Sequence, residues 1–482
     1  MGESRMLIDG ELVEAGSSFD NVNPATEEVL GPVSDGTATD MARAVAAARR
    51  ALDETSWSTD PTLRKRCLEQ LHAAIESEQE EFRSELVAEV GCPVVVTYGP
   101  QLDAPLQEGL LWPAKMIDEV EWQRDLGVHE VFGMTSRRLV RKEPVGVVGV
   151  IVPWNFPFEI TVNKLGPVLA MGNTCVLKPA PDTPWNATRI GRLIAEKTDI
   201  PPGVVNIVTS SDHLVGEVLT TSPDVDAIAF TGSTATGSRI MEKGAPTLKR
   251  MFLELGGKSA NIVLDDADFE AVLPGTGFTC MHAGQGCAIT TRLLLPRSRY
   301  DEGVEMVKQA FEEVPYGDPT DPANICGPLI NARQRERVLG YIEKGKAEGA
   351  RLVVGGGTPD HLDKGYYVEP TLFADVDNSM TIAQEEIFGP VLSVIPYGDD
   401  DEAVRIANDS AYGLSGAVVS ADQERALRVA ERIRTGTLMV NGGIYYGPDS
   451  PFGGYKRSGI GRQCGLEGLE EFLETKTIAV PA

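Results

Sequence analysis

Between positions 145 and 231 one pattern recurs four times: a short apolar run, a loop, then a stretch of helical character. The runs are Val145–Val152 (VGVVGVIV), Thr174–Leu177, Val204–Val208 and Ala227–Phe230. Each is too short for a buried helix and apolar at nearly every position, as expected of strands covered on both faces. Strand, crossover and strand in succession predict an α/β protein with largely parallel sheets. A second block begins near Gly256, with strand candidates at Ala260–Leu264, Arg292–Leu295, Arg351–Val354, Val391–Pro396 and Gly416–Val419. Upstream, after a turn-rich entry (Asn21 to Ala25), Asp40 is placed to cap a helix through MARAVAAARRAL. A second helical stretch opens at Pro61, and its apolar positions run through Leu63, Leu68, Leu71, Ile75, Phe82 and Leu86 before Gly91 and Pro93. Glu119–Glu143 and Thr475–Val480 fit neither block and read as strands pairing outside both main sheets.

The length of 482 residues exceeds the roughly 100–200 of a single domain, so at least two domains are expected. A formal charge of −27 sets most of the surface against a phosphate backbone and excludes nucleic acid as a partner. The seven cysteines are scattered, odd in number and without a CxxC pair, which suits a reducing compartment rather than a disulfide framework or zinc site. No apolar run reaches the roughly 20 residues of a membrane span. The first residues, MGESRMLIDGELVEAG, lack the basic and apolar regions of a secretory signal. A cytoplasmic protein without a membrane or metal partner is expected.

The usual dinucleotide fingerprint, GxGxxG after a strand, is absent. A different glycine loop, Phe230-Thr231-Gly232-Ser233, leaves an apolar run and leads to Gly237 at a predicted helix start. The free N–H groups and positive dipole end of such a helix suit a pyrophosphate, and Ser233 adds a hydroxyl. Taken alone, this is more often an ordinary strand-to-helix turn.

Three further segments bear chemistry. Cys287 follows two glycines in Gly284-Gln285-Gly286-Cys287, which leave the thiol approachable, although an isolated free cysteine is more often a small buried hydrophobe. Glu254 opens Glu254-Leu255-Gly256-Gly257-Lys258, and Asn155 sits between prolines in Pro153-Trp154-Asn155-Phe156-Pro157. Singly, a surface glutamate and a turn asparagine are the plainer readings. Cys280, His282 and Cys287 lack a fourth nearby ligand and make a poor metal site.

Together these segments resemble one family. From NPAT at Asn23 to the final TKTIAV, the chain is similar to the aldehyde dehydrogenase superfamily through PWNFP, KPA, FTGST, ELGGK, GQxC, EEIFGPV and PFGGYK, in the family's order. The resemblance implies that Cys287 attacks the aldehyde, that Asn155 and the Cys287 N–H stabilise the oxyanion, and that Glu254 activates the hydrolytic water. It assigns Lys178 to the adenosine ribose, and Trp154 and Ser233, with Gly232 in the same loop, to the pyrophosphate of NAD, NADP being possible. Glu386 and Phe388 of EEIFGPV, with Gln334 and Arg337, fall at the nicotinamide ribose, and Lys164 matches a lysine of a proton relay. The chain departs from the family at Pro181, where NAD-preferring members often carry glutamate, and at Gln463, where many carry glutamate. Asn163 stands where several members have tryptophan, and Phe156, Phe158, Tyr445, Tyr446 and Phe452 are candidate walls of an apolar pocket.

The implied architecture is aldehyde dehydrogenase-like: two parallel-sheet domains plus a small oligomerisation sheet. A cofactor domain covers 1–122 and 145–255, a catalytic domain covers 256–460, and 123–144 with 461–482 join subunits into a homodimer or homotetramer. The implied reaction is oxidation of an aldehyde, a small-molecule substrate, to its acid with NAD(P)+ and water, through a thiohemiacetal and a thioester. Rivals on the same fold are a coenzyme A-acylating dehydrogenase, which generally lacks the ELGG glutamate, and an acyl-phosphate-linked one. A cysteine hydrolase would need a Cys–His pair, and none of His72, His129, His213, His282 and His361 lies in a matching motif. A non-catalytic binding protein would have little reason to keep Cys287, Asn155 and Glu254 together.

Overall fold

The computed structural model describes residues 2–482. Its α/β architecture is built on two large sheets and one small antiparallel sheet. The first sheet has eight strands in the order Gly459–Ile460, Arg250–Glu254, Ala227–Thr231, Val147–Ile151, Thr174–Lys178, Val205–Ile207, Met6–Ile8, Glu11–Val13. Its five central strands are parallel, and antiparallel partners close both edges. The four apolar runs of the sequence supply four of these strands, the last pairing with the first on its far side from the second, and their buried positions pack against helices on both faces.

The second sheet has seven strands in the order Arg351–Val354, Thr371–Ala374, Val391–Tyr397, Thr290–Pro296, Ser259–Val263, Gly416–Val419, Met439–Val440. It is parallel except where Arg351–Val354 meets Thr371–Ala374, and it has a separate apolar core. In the third sheet, Met134–Pro144 is central and pairs with Gln123–Val131 on one side and Leu473–Pro481 on the other.

Several local expectations change. Asp40 does not cap the first helix, Ala38–Glu54; Thr37 does, and Asp40 returns the bond to the Thr37 N–H, so the acid is the inner half of a capping box. The stretch from Pro61 is two helices, Pro61–Glu76 and Gln79–Val90, parted at Ser77 and Glu78, because two helices with separate apolar faces wrap one core. Gly91 ends the second with a φ of +67°. The turn-rich entry holds a hairpin, Ser18–Val22 with Val29–Ser34, whose strands carry too many polar residues for a clear alternation.

The site is positioned by three chain segments where the large sheets meet. Glu254 ends one strand of the first sheet, paired with Thr231 on one side and Gly459 on the other. Five residues on, Ser259 begins the second sheet. The helix Pro157–Ala170, opened by a proline at its first turn, follows the turn at 153–156 and carries Lys164 on a fully buried face.

Candidate active site

Cys287 Sγ lies 3.6 Å from Glu254 Oε1, and Thr231 Oγ1 donates to Glu254 Oε2 at 3.3 Å. The thiol is half-buried, whereas Glu254 is only 3% exposed. Burial, then the facing Glu254 carboxylate, push the Cys287 thiol well above its ordinary range. The thiol therefore holds its proton until a base takes it, and the carboxylate is in contact with it. Burial also raises Glu254, opposed by the charge of Lys164.

The turn carrying Asn155 is pinned from three sides. Its carbonyl accepts from Gln101 Nε2 at 2.7 Å and from His282 Nε2 at 2.9 Å, and its own Nδ2 donates to Gln285 O at 2.9 Å. His282, buried with its charged form suppressed to about 4, is a neutral imidazole and keeps its proton on the nitrogen facing the carbonyl. Gln285 accepts from Ile330 N–H and donates to the His282 and Pro328 carbonyls, which fixes the loop leading to Cys287. One Asn155 amide hydrogen remains uncommitted beside the cysteine loop.

Lys164 is fully buried. Its Nζ stands 4.4 Å above the Phe252 ring and 3.4 Å from Gln463 Oε1. Burial lowers its pKa, against the charges of Glu254 and Glu159. Gln463 thus stands at this lysine's end of the site, and what it offers there is an amide.

A second group of residues surrounds a cavity of about 590 Å³ at the carboxyl ends of the first sheet's central strands. Trp154, Lys178, Pro181, Gly232 and Ser233 line it, with Gly216 and Arg333. Ser233 caps the helix Thr234–Gly244 by accepting from Thr236 N–H, and its hydroxyl also stands 2.9 Å from Thr236 Oγ1. Gly237 is three residues inside that helix rather than at its start. Lys178 is 3% exposed, and its ammonium reaches the Pro179 and Ser210 carbonyls only at 3.5 Å each. Burial lowers it to about 8.

Glu386, Phe388, Gln334 and Arg337 come from the second block and assemble around one loop. Gln334 Nε2 donates to Phe388 O at 2.8 Å, Arg337 to Glu386 O at 2.7 Å, and Gly257 N–H to Glu386 Oε1 at 2.9 Å. A side chain at Gly256 would place its Cβ 2.2 Å from Glu386 Oε2, so the double glycine after Glu254 is what lets this carboxylate approach. Trp154 meets Phe388 edge-on at 5.5 Å and joins the two groups. Gln334 and Arg337 therefore position the Glu386 loop through its backbone.

Of the candidate pocket walls, Tyr445, Tyr446 and Phe452 stack together, and Phe156 packs edge-on against His282. Phe158 is not a wall: it is fully buried in the first core, edge-on to Phe82, because it points to the opposite face of the helix from Phe156. Sequence reasoning gave no positioning role to Gln101, Gln285 or His282. Gln285 stood inside the quoted GQxC motif; the others carry no pattern that separates them from ordinary surface or core residues. Among the described residues no group of three or more His, Cys, Asp or Glu is placed to hold a metal ion, and no helix is long and apolar enough to cross a membrane.

Comparison with known proteins identifies the family and the fold. The model of the aldehyde dehydrogenase family matches residues 12–478. A 3-succinoylsemialdehyde-pyridine dehydrogenase from a Pseudomonas species is 44% identical, over 98% of this chain and 97% of its own. The crystal structure of a Mycobacterium tuberculosis aldehyde dehydrogenase complexed with NAD+ superposes with a TM-score of 0.94 at 43% identity, over 99% of this chain and 98% of that one. Betaine aldehyde dehydrogenase from Staphylococcus aureus in complex with NAD+ superposes with a TM-score of 0.96 at 36% identity, covering 100% and 95%. The chain belongs to the aldehyde dehydrogenase family and is an NAD(P)-dependent enzyme of that family.

Proposed function

We propose that the chain oxidises an aldehyde to the free carboxylic acid through a thiohemiacetal and a thioester on Cys287, with Glu254 as base and Asn155 as oxyanion donor. The contact of Cys287 Sγ with Glu254 Oε1 at 3.6 Å carries this reading. The thiol proton passes to Glu254 as sulfur attacks the aldehyde carbon. The uncommitted Asn155 amide hydrogen and the Cys287 N–H meet the charge that forms on oxygen; such donors are worth about 100–1,000-fold in rate each. After oxidation, Glu254 takes a proton from the water that attacks the thioester, and collapse returns the sulfur.

NAD is the cofactor this site fits. The under-bonded ammonium of Lys178 in a cavity of about 590 Å³ calls for a ligand bearing hydroxyls or phosphate, and the first turn of Thr234–Gly244 faces the same cavity. Lys178 would hold the adenosine ribose, Trp154, Gly232 and Ser233 the pyrophosphate, and Glu386 the nicotinamide ribose. The bound nicotinamide supplies the hydride acceptor for the thiohemiacetal carbon. The NAD+ complexes of the similar structures support the assignment.

The first sheet with its helices serves as cofactor domain and the second as catalytic domain, as in the division at about residue 255. The strand Gly459–Ile460 lies in the first sheet, so the catalytic segment ends just before it. The hairpin formed by Gln123–Val131 and Met134–Pro144 exposes Leu126, Val128, Val131, Phe132 and Met134, with Phe132 94% exposed, a surface suited to a second subunit of a dimer or tetramer. Tyr445, Tyr446, Phe452 and Phe156 favour an apolar aliphatic or aromatic aldehyde.

The test is product analysis with an aldehyde panel, with both cofactors, and with and without coenzyme A. Free acid formed with NAD and independent of coenzyme A is expected. An acyl-coenzyme A product, or no absorbance change with either cofactor, would overturn the reading.

A further inference from the structure

The cavity of about 590 Å³ at the first sheet is cationic, in a chain whose formal charge is −27. Its charged lining residues are Lys178, Asp182, Glu217, Arg239, Lys243 and Arg333. Glu217 and Arg239 form an ion pair, and Asp182 Oδ1 accepts from Asn331 Nδ2 at 2.7 Å. Lys178 reaches only two carbonyls, at 3.5 Å each. Lys243 and Arg333 have no hydrogen bond or ion pair among the described residues. Three cations therefore face the cavity, against Asp182 as the one acid outside an ion pair.

Arg333 differs from the other lining residues in its origin. They all come from residues 151–243, whereas Arg333 is the second residue of the helix Ala332–Ala347 in the second block. The cap of that helix, Asn331, is the residue bonded to Asp182, which follows Pro181. The helix is thus fastened where Pro181 forms the wall, and Arg333 enters the cavity beside it. Burial, then the charges of Lys178 and Arg333, lower the pKa of His213, which lines the same cavity, so both cations act on one side chain. A cation in the first turn opposes the helix dipole, so the helix itself gains nothing from Arg333.

Resting on the assignment of this cavity to the adenosine half of the cofactor, we propose that Arg333 is the specificity-determining residue for the 2′-phosphate of NADP, which it meets together with Lys178. NAD carries a hydroxyl where NADP carries this phosphate, so a cation there discriminates between the two. The planar guanidinium offers paired N–H donors that match phosphate oxygens. The side chain is exposed and unbonded, and it turns to them without giving up a contact. Pro181, with neither charge nor N–H, leaves the approach open. The pyrophosphate, common to both cofactors, is assigned to Trp154, Gly232 and Ser233 and makes no call on Arg333.

The test is calorimetric titration of wild type, Arg333→Gln and Arg333→Lys with 2′,5′-ADP and with 5′-ADP, which carry their phosphates at different positions. In Arg333→Gln the affinity for 2′,5′-ADP should fall about tenfold, as expected for one lost charge-assisted bond, and that for 5′-ADP far less. Retained 5′-ADP binding also reports a folded site. Arg333→Lys, which keeps the charge and loses the fork, should recover part of the loss. In turnover, KM for NADP should rise by a similar factor with little change in kcat, so the NADP-to-NAD ratio of kcat/KM falls. Unchanged 2′,5′-ADP affinity in Arg333→Gln would overturn the proposal. So would an equal loss for both nucleotides, which would make Arg333 a general phosphate contact. Failure of wild type to bind either nucleotide would remove the assignment of the cavity, and the proposal with it.

Discussion

Glu254 accepts from Cys287 with one carboxylate oxygen and from Thr231 with the other, at 3.6 and 3.3 Å. A single side chain thus faces the Cys287 thiol while held by the strand beside its own. Glu254→Gln should still give some first-turnover NAD(P)H, because hydride transfer precedes hydrolysis, and should then stall at the thioester. Rapid-mixing absorbance checks this. Steady turnover equal to wild type would show that another group serves deacylation.

Cys287→Ser should abolish turnover and leave NAD binding intact, since a hydroxyl is far less ionised than a thiol and the cavity at Lys178 is built from other segments. Titration of cofactor binding by fluorescence, beside an activity assay, reads both halves.

Asn155→Ala should lower kcat by about 100-fold or more with little change in apparent aldehyde affinity, because its amide meets charge that develops only after attack. The turn itself should survive, since Gln101 and His282 hold it by its backbone carbonyl. A large rise in KM at constant kcat would place Asn155 in substrate binding.

Cofactor choice should depend on Pro181 and on pH. Proline can neither bond nor repel a 2′-phosphate, and Asp182, the nearest acid, is engaged by Asn331 Nδ2 at 2.7 Å. NADP should therefore be used measurably, and Pro181→Glu should shift kcat/KM toward NAD. Lys178, at about 8, is cationic below that pH and neutral above it. The kcat/KM for NADP should accordingly fall as pH rises past 8, more steeply than for NAD. Parallel profiles for the two cofactors would exclude Lys178 as the phosphate partner.

Lys258 Nζ is buried without a hydrogen-bond partner, and burial, then Arg292, lower it to about 7. The unfolded chain holds its proton up to the ordinary lysine range, so between about 7 and 10 unfolding takes up a proton and this residue adds stability as pH rises. Melting temperature compared at pH 7 and pH 9 should rise less in Lys258→Met than in wild type. An identical increment in both would mean that Lys258 is charged in the folded protein.

The parallel sheets were legible because their strands are apolar on both faces, and Cys287, Glu254 and Asn155 were legible because they sit in motifs whose order is itself a signal. The local geometry around them was not. Phe156 and Phe158 are two residues apart and read alike, yet the turn into the helix sends one to the site and the other to the core. Ser233 offered a hydroxyl on paper, and only the structure shows that it also caps the helix behind it.

The strand Gly459–Ile460 completes the first sheet only after the whole second sheet has been made. It lies against Arg250–Glu254, with Gly459 opposite Glu254, and Leu255 N–H donates to Ser458 O beside it. A Cβ at Gly459 would sit 2.0 Å from Leu253 O, at a φ of +140°, so the backbones meet too closely for any side chain. During synthesis, the edge carrying Glu254 stays open until about two hundred further residues have emerged, as counted from 254 to 459 in the sequence. The Glu254 edge is thus the last part of its sheet to be enclosed, and a chain cut short before residue 459 keeps an unpaired edge ending on a carboxylate. Truncation is thus felt first at Glu254, the residue in contact with the Cys287 thiol.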